Sequence, residues 1–511
     1  MEIDQAIKTA KGILSGGSSS SPKGKTPCHG QRQGGDRIMA KMTSQSKISV
    51  YVASFLVFFL LFGSFTRGAY AMTTEEEKKL GKKVLLEIQK EADLVKDLNV
   101  QSFVERVGYS LVDHLGPTPF EFKFYVINAL DPNAFAIPGG YIFVTTGLIV
   151  LADNEQEIAG VLAHEISHVT QRHVAQMIEK SKRLSLATLA AMVAGILVGR
   201  GGAGSQAAVA MANATAGALT LKYTREMETD ADQNGLHLLI KAGYDPDAII
   251  AFFNKLQKVS LAMAPNIPAY LLTHPATENR ISLLENILQM GSRPTGPFRT
   301  FENFGKIRTK AFVEERDPQA AITYYQSLVD ADPHQWGGYY GLGLAYRKMG
   351  RFDKSTEVLQ RAHALAPQDL DVSRELAIVY FLSGKVDQSV ENLEAMRSNP
   401  GEAQNNDLMT LYYLGRGYQE KGDFGRALPF LLKVQREKPE FRDVYYSLGS
   451  IYGRTGQKGL SHFYFGKYFK LKWERNNALL HFRTAIDWLE RGSPEREDAQ
   501  GEIKELTSPK Q

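Results

Sequence analysis

The stretch Val161-Leu-Ala-His-Glu-Ile-Ser-His-Val169 contains two histidines four residues apart, His164 and His168, with Glu165 directly after the first. On an α-helix, residues i and i+4 lie on one face, so both imidazoles can reach a single metal ion. Glu165 lies one step round the helix, where a carboxylate can take a proton from a water molecule that zinc has acidified. The stretch therefore predicts a helix with a zinc site on its inner face.

The third ligand is predicted from a second helical segment, residues 224–236, in which acidic residues alternate. Positions 3, 7, 8 and 11 after Glu228 are apolar or glycine, which places Glu228 on the buried face. Glu226 and Asp230 fall on the solvated face. A buried carboxylate is costly without a partner, and a metal ion is a good partner. We therefore predict Glu228 as the ligand, with Asp232 one turn later orienting a ligating histidine.

A further histidine, His173, follows the motif closely. It lies nine residues after His164, which on a continuous helix is roughly the opposite face, so it is predicted to be structural. Gln171 and Val174 also replace the glycine and histidine of the extended pattern H-E-x-x-H-x-x-G-x-x-H.

The charge of the chain is unevenly distributed. Residues 1–71 contain nine Lys or Arg against three Asp or Glu, while residues 72–511 contain 51 against 53, so nothing indicates a nucleic-acid partner. Cys28, the only cysteine, lies in the basic N-terminal part. The remainder therefore has no disulfide, thiol nucleophile or cysteine-bound zinc.

The first 38 residues are rich in Gly, Ser, Lys and Gln and lack apolar periodicity, which predicts a disordered extension. Because methionines follow at positions 39 and 42, we expect that translation starts at one of these two and that residues 1–38 result from a wrongly assigned start.

Residues 39–71 have the pattern of a signal peptide. Lysines precede an apolar run at 48–65, and Ala69-Tyr70-Ala71 resembles a cleavage site, so cleavage is expected after Ala71. The run of 18 apolar residues also allows an uncleaved membrane anchor as the alternative. Export to the periplasm of a bacterium agrees with the absence of cysteine from the mature chain.

A short sheet is predicted before the metal helix. Residues 120–127 alternate like a strand, and Pro138 limits the strand that precedes it to an edge or an end. An edge strand beside a metal site can pair with an extended peptide, although an ordinary hairpin explains the pattern equally well. The residues expected to face substrate are Asn133, Phe135, Ala136 and Pro138.

Residues 184–198 are apolar and rich in alanine but are too few for an ordinary membrane span. We expect a buried helix or a lid over the site, with peripheral contact to a membrane as the alternative.

Four motifs in the same order resemble the M48 family of zinc metallopeptidases. They are the H-E-x-x-H helix, the segment Asn133–Gly140, Glu228-x-x-Ala231-Asp232, and Thr273-His274-Pro275 with Arg280. The resemblance covers residues 73–290 and implies a gluzincin fold. It also implies one zinc ion on His164, His168 and Glu228, with Glu165 as general base.

The same resemblance makes His274 and Arg280 active-site residues. By its chemistry, His274 can bind zinc in a resting state or stabilise the oxyanion of the tetrahedral intermediate. A purely structural role for His274-Pro275, at the end of a helix, is the alternative.

A repeat follows. The pattern Leu-Gly/Ala-x-x-Tyr recurs with tyrosines at 346, 380, 418 and 452, and a glycine stands four residues after each tyrosine. The spacings of 34, 38 and 34 resemble tetratricopeptide repeats, which pack as helical pairs. We assign residues 72–290 to the peptidase domain, 291–312 to a linker, 313–492 to the repeats and 493–511 to a disordered tail.

These observations predict a mostly α-helical (α+β) chain: a gluzincin domain with a small β-sheet, followed by an all-α solenoid of repeats. The expected function is a periplasmic zinc endopeptidase that acts on envelope proteins in protein quality control. The resemblance implies that the repeats recruit substrate or the outer-membrane assembly machinery. The alternative is a chaperone or scaffold for outer-membrane protein assembly, in which proteolysis is secondary.

Overall fold

The structure is a computed structural model of the 511-residue chain. It describes residues 72–180, 224–262, 268–275, 278–291, 297–301, 304–398 and 407–508. The expected extension, the signal peptide and the apolar run at 184–198 lie outside these ranges.

The N-terminal half of the described chain combines helices with one small sheet. Its helices are α1 (Thr74–Glu91), α2 (Leu98–Val112), α3 (Thr146–Leu151), α4 (Glu155–Thr170), α5 (His173–Lys180), α6 (Arg225–Lys241), α7 (Asp247–Ala262), α8 (Ala269–Thr273) and α9 (Glu278–Met290). Its strands are β1 (Lys123–Ile127), β2 (Ala134–Ile137) and β3 (Tyr141–Thr145).

The strand order is β1-β3-β2, with β1 parallel and β2 antiparallel to β3. Gly139 and Gly140, at φ 91° and 98°, make the tight turn between β2 and β3. In the described part of the chain, β2 is therefore an edge strand, and Pro138 follows its last residue.

Helix α4 carries the H-E-x-x-H motif through the centre of this domain. Asn154 caps its N-terminus by accepting from the backbone N–H of Glu157 at 3.0 Å. Helix α6 packs closely against α4 at Gly235, where a Cβ atom would lie 3.1 Å from the backbone nitrogen of His164. The missing side chain thus lets α6 bring its acidic residues to the histidines.

The predicted linker at 291–312 is wrong in its second half. Helix α10 (Phe304–Glu315) begins inside it. Phe304, Ile307 and Ala311 join the main apolar core of the peptidase part, because their spacing places them on one helix face. Apolar burial therefore continues across the expected boundary.

The C-terminal half consists of antiparallel helix pairs. They are α11 (Pro318–Ala331), α12 (Trp336–Lys348), α13 (Phe352–Leu365), α14 (Leu370–Leu382), α15 (Val386–Arg397), α16 (Leu408–Glu420), α17 (Phe424–Glu437), α18 (Arg442–Arg454), α19 (Lys458–Leu471) and α20 (Arg475–Trp488). The four repeated glycines end helices with positive φ: Gly350, Gly384, Gly422 and Gly456.

The predicted disordered tail is also wrong for most of its length. Residues Pro494–Thr507 form α21, with Ser493 as N-cap and Pro494 in the first turn. Ala499 is fully buried and belongs to the core of the last repeats. The polar segment is therefore a helix that covers the end of the solenoid.

The repeats pack against the peptidase part through a buried ionic cluster. Lys310 of α10 donates to Asp97 Oδ2 at 3.1 Å and to Glu375 Oε1 at 2.5 Å. Beside it, Leu98 at the start of α2 packs with Ile378 and Met409 of the repeats.

The predicted fold class is confirmed: helices dominate, one three-stranded sheet lies in the first half, and helical repeats follow. In the described ranges, every helix is too short or too polar to cross a bilayer.

Candidate metal centre

Four side chains from three parts of the chain converge beneath β2. Helix α4 supplies His164 and His168, α6 supplies Glu228, and the residue after α8 is His274. One ligand atom from each lies within 4.8 Å of the other three, and all four residues are buried.

The spacing of these atoms fits a metal ion. The Nε2 atoms of His164 and His168 lie 3.0 Å apart, and Glu228 oxygens lie 3.7 Å and 3.5 Å from them. Ligands of tetrahedral zinc lie about 3.3 Å from one another, given Zn–N distances of about 2.0–2.1 Å. Two imidazole nitrogens and a carboxylate that face one buried point are a suitable donor set for a borderline divalent cation.

A second layer of charge surrounds the cluster. Asp232 Oδ1 lies 3.0 Å from Nδ1 of His164, on the side of the ring away from His168. Arg280 donates from Nε and Nη2 to the two oxygens of Asp232, each at 2.6 Å. Burial opposes ionisation of Asp232, but the bonds from Arg280 and His164 hold its pKa below the ordinary value.

Glu165 lies beside the cluster rather than in it. Its Oε1 atom is 3.5 Å from Nε2 of His274, and its side chain is fully buried. Burial raises the pKa of Glu165, while His274, His164 and the backbone N–H of Ala136 lower it by smaller amounts. A carboxylate with a raised pKa is suited to accept and return a proton near neutral pH.

His274 is held from two sides. Its Nδ1 atom lies 3.0 Å from Glu228 Oε1 and 3.3 Å from Nε2 of His164. The ring of Tyr270, one helical turn earlier, stacks on it with centroids 4.7 Å apart and planes 26° apart. These contacts therefore fix the imidazole within reach of the point that His164, His168 and Glu228 surround.

His173 does not lie on the far face of a continuous helix, so that assumption is wrong. Helix α4 ends at Thr170 and the chain turns at Arg172, which has a left-handed φ of 56°. His173 is buried, and its Nδ1 atom lies 3.0 Å from Nδ1 of His168. Sequence reasoning missed this contact because neither Gly nor Pro marks the break.

Two of the residues predicted to face substrate, Phe135 and Ala136, lie on opposite faces of β2, while Asn133 and Pro138 flank the strand. The side chains of Ala134 and Ala136 belong to the core shared with α4, whereas Phe135 stacks on Phe143 in the cluster that includes α1. The Phe135 side chain is thus directed away from the metal cluster. Asn133 is 1% exposed, just before the strand.

Comparison with known proteins identifies both halves of the chain. Residues 96–288 match peptidase family M48, and residues 310–369 and 340–403 match tetratricopeptide repeats. These matches confirm the resemblance read from the four motifs and the tyrosine spacing.

Several bacterial proteins are similar over a longer range. The beta-barrel assembly-enhancing protease of Escherichia coli (strain K12) is 27% identical over 345 residues, which cover 66% of this chain and 70% of that protein. The protein of the same name from Yersinia pestis is 30% identical, covering 60% of this chain and 63% of its own length. The chain thus spans about two thirds of these relatives.

A mitochondrial protein matches a shorter part of the chain. The mitochondrial metalloendopeptidase OMA1 of Schizosaccharomyces pombe is 31% identical over 186 residues, which cover 36% of this chain and 52% of that protein. The chain therefore carries a peptidase domain of family M48, followed by tetratricopeptide repeats.

Proposed function

We propose that the chain is a zinc-dependent endopeptidase that hydrolyses peptide bonds of protein substrates. The observation that carries this proposal is the buried convergence of His164, His168 and Glu228, with the carboxylate of Glu165 next to them. Three protein ligands with a neighbouring general base are the arrangement of a catalytic zinc site.

In this proposal the Nε2 atoms of His164 and His168 and one Glu228 oxygen would hold one zinc ion. Zinc supplies a Lewis acid that polarises a carbonyl group and lowers the pKa of water to about 7. Burial opposes ionisation of Glu228, but His274 and His168 hold its pKa well below the ordinary value, so Glu228 is available as an anionic ligand.

Glu165 acts as the general base and then as the general acid. Its burial keeps bulk water from competing for the proton, and its raised pKa favours return of that proton to the leaving amine. The 3.5 Å contact with His274 places a second polar group on the same side of the cluster.

His274 has two roles in this account. Its Nδ1 atom lies 3.0 Å from Glu228 Oε1 and 3.3 Å from Nε2 of His164, and four protein ligands would close a zinc site to substrate. In its first role, we propose, His274 would hold a bound zinc ion together with His164, His168 and Glu228 while no substrate is present. In its second role the imidazole, which stacks on Tyr270, would donate a hydrogen bond to the oxyanion of the tetrahedral intermediate.

Substrate binds along the open edge of β2. Thr145 donates its backbone N–H to the Asn133 carbonyl at 2.9 Å, so the alternation of an antiparallel ladder directs the N–H and C=O groups of Ala134 and Ala136 outwards. An extended peptide can pair with these groups. Asn133 and Pro138 mark the two ends of this edge.

We also propose the bacterial periplasm as the location, envelope proteins as the substrates and outer-membrane assembly machinery as the partner of the repeats. Similarity to bacterial proteins named beta-barrel assembly-enhancing protease supports this part of the proposal. The signal peptide at 39–71, cleavage after Ala71 and a membrane contact through 184–198 remain predictions.

A scaffold function is the second candidate. It is favoured by the cluster of four possible ligands, because four protein ligands would close a zinc site to substrate. Complementation of an envelope defect with the Glu165→Gln variant separates the two functions. Rescue would support the scaffold, and failure would support the peptidase.

Zinc stoichiometry tests the ligand assignment. We expect about one zinc per chain in the wild type and a loss of zinc in His164→Ala and Glu228→Ala, while Glu226→Ala, whose residue is exposed on the same helix, retains it. Zinc that stays in Glu228→Ala would overturn the assignment of the third ligand.

A further inference from the structure

The two histidines of the H-E-x-x-H motif have different partners on their outer nitrogens. Nδ1 of His164 faces the carboxylate of Asp232 at 3.0 Å. Nδ1 of His168 instead faces Nδ1 of His173 at 3.0 Å, with the two ring planes at 72°. A second imidazole thus stands where a carboxylate, carbonyl or water usually contacts a metal-binding histidine.

The tautomers of this pair follow from the direction of each ring. Nε2 of His168 is directed at the ligand cluster, so its proton is on Nδ1 and is donated to His173. His173 then accepts at Nδ1 and carries its own proton on Nε2. That nitrogen lies 3.3 Å from Oδ2 of Asp230, which accepts the proton's hydrogen bond.

The position of His173 depends on the turn at Arg172. A left-handed φ of 56° is unfavourable for a residue with a Cβ atom. The Arg172 side chain donates from Nε to Glu77 Oε2 at 2.7 Å and from Nη2 to the carbonyl of Met72 at 2.5 Å. Helix α1 therefore fixes the turn that brings His173 back to His168.

Asp230 is held independently on α6. Its Oδ1 atom accepts from Nδ2 of Asn234, one turn later, at 2.9 Å. The other oxygen remains directed at His173, and the carboxylate is 47% exposed. The chain of contacts therefore runs from the ligand cluster through two imidazoles to a carboxylate at the protein surface.

We infer that His173 and Asp230 are positioning residues that orient His168 and retain zinc. The inference rests on the proposed function, because it assumes that His168 binds zinc through Nε2. Loss of the acceptor removes the hydrogen bond between the Nδ1 atoms of His168 and His173, so the ring of His168 is oriented less firmly.

The test measures zinc affinity by competition with a chelator and records the visible spectrum after cobalt substitution. His173→Leu is expected to lower zinc affinity about 10- to 100-fold and to alter the cobalt spectrum, as loss of an outer partner does elsewhere. His173→Asn can place its amide oxygen near the former Nδ1 position, so it is expected to restore much of the affinity. Asp230→Asn is expected to cause a smaller loss.

His237→Leu is the matched control, because His237 lies exposed on α6. It is expected to leave zinc affinity and the spectrum unchanged. A circular dichroism melt shows whether each variant is folded. Comparison of His173→Asn with His173→Leu separates the effect of losing the hydrogen-bond acceptor from the effect of changed packing.

Wild-type zinc affinity in a folded His173→Leu chain would overturn the inference and leave the proposed function intact. Equal losses in His173→Leu and His173→Asn would also overturn it, because the hydrogen-bond acceptor would then be irrelevant. A wild-type chain that binds no zinc would contradict the proposed function itself.

Discussion

Arg280 contacts Glu228 directly, with Nη1 2.5 Å from Oε2. The same guanidinium holds both oxygens of Asp232, whose neighbour is the ring of His164. One arginine therefore joins a proposed metal ligand to the group that orients another ligand. Because Arg280 is 6% exposed, this arrangement is shielded from solvent.

Substitution of Arg280 is expected to weaken metal binding. Arg280→Met leaves Glu228 and Asp232 without their shared cation, and zinc affinity should fall about 10- to 100-fold. Arg280→Lys keeps the charge but loses the planar two-bond contact, so an intermediate loss is expected. Chelator competition measures both, and equal affinity in all three proteins would show that Arg280 does not support the site.

Gly235→Ala tests the close approach of α6 to α4. Its Cβ would lie 3.1 Å from the His164 nitrogen and 3.2 Å from the Ala163 carbonyl, which forces the helices apart. Stability should fall by about 1–3 kcal/mol as for other overpacked sites, despite the better helix propensity of alanine.

The control for this substitution is Gly501→Ala in α21, where a new Cβ meets no atom within 4 Å. Gly501→Ala should be neutral or stabilising by up to about 1 kcal/mol. Urea unfolding measures both variants, and a Gly235→Ala protein as stable as Gly501→Ala would contradict the packing argument.

Lys310→Met tests the junction of the two halves. It leaves the buried carboxylates of Glu375 and Asp97 without their lysine, and breaking a buried pair in this way costs about 3–5 kcal/mol. Lys78→Met removes the exposed pair with Glu75, which solvent screens, and should cost far less stability. Similar urea midpoints for the two variants would refute a stabilising role for the junction.

Glu315, near the junction at the end of α10, makes the stability of the chain depend on pH. Its side chain is 1% exposed at the end of α10, and burial raises its pKa to about 8, against a smaller opposing effect of Arg316. Between pH 4.5 and about pH 8, Glu315 retains its proton in the folded chain but releases it in the unfolded chain. This contribution to stability is full below pH 4.5 and is lost as pH rises through 8.

Glu315→Gln removes this titration. Between pH 4.5 and about pH 8, the free energy of unfolding of the wild type should fall by at most about 1.4 kcal/mol per pH unit relative to that of the variant. The variant therefore becomes more stable relative to the wild type as pH rises. Urea midpoints at several pH values measure the difference. A constant difference between the two proteins would contradict protonation of the buried carboxyl.

The candidate site was largely predictable because helical phase is a local property. The spacing of His164 and His168 and the buried phase of Glu228 each follow from 3.6 residues per turn, and the structure brings these residues together. The break after Thr170 was not predictable in this way. It occurs at Arg172, a residue that disfavours positive φ, and it depends on a distant partner, Glu77.

The boundaries failed for a different reason. Proline and glycine near residue 294 indicate a loop, and the composition of residues 291–312 predicts a linker throughout. The apolar spacing of Phe304, Ile307 and Ala311 indicates a helix in the second half, which composition does not reveal. The pair Ser493-Pro494 is likewise a helix start, and its polar continuation becomes helical because the last repeat offers a surface to cover.

The most direct test of the account compares the wild type with Glu165→Gln, both loaded with zinc, on an unfolded protein substrate. The glutamine keeps the shape of the side chain but cannot accept the proton, so hydrolysis should fall at least about 100-fold while zinc content stays near one per chain. Unchanged hydrolysis by the zinc-loaded Glu165→Gln protein would contradict the central claim that Glu165 is the general base of a zinc peptidase.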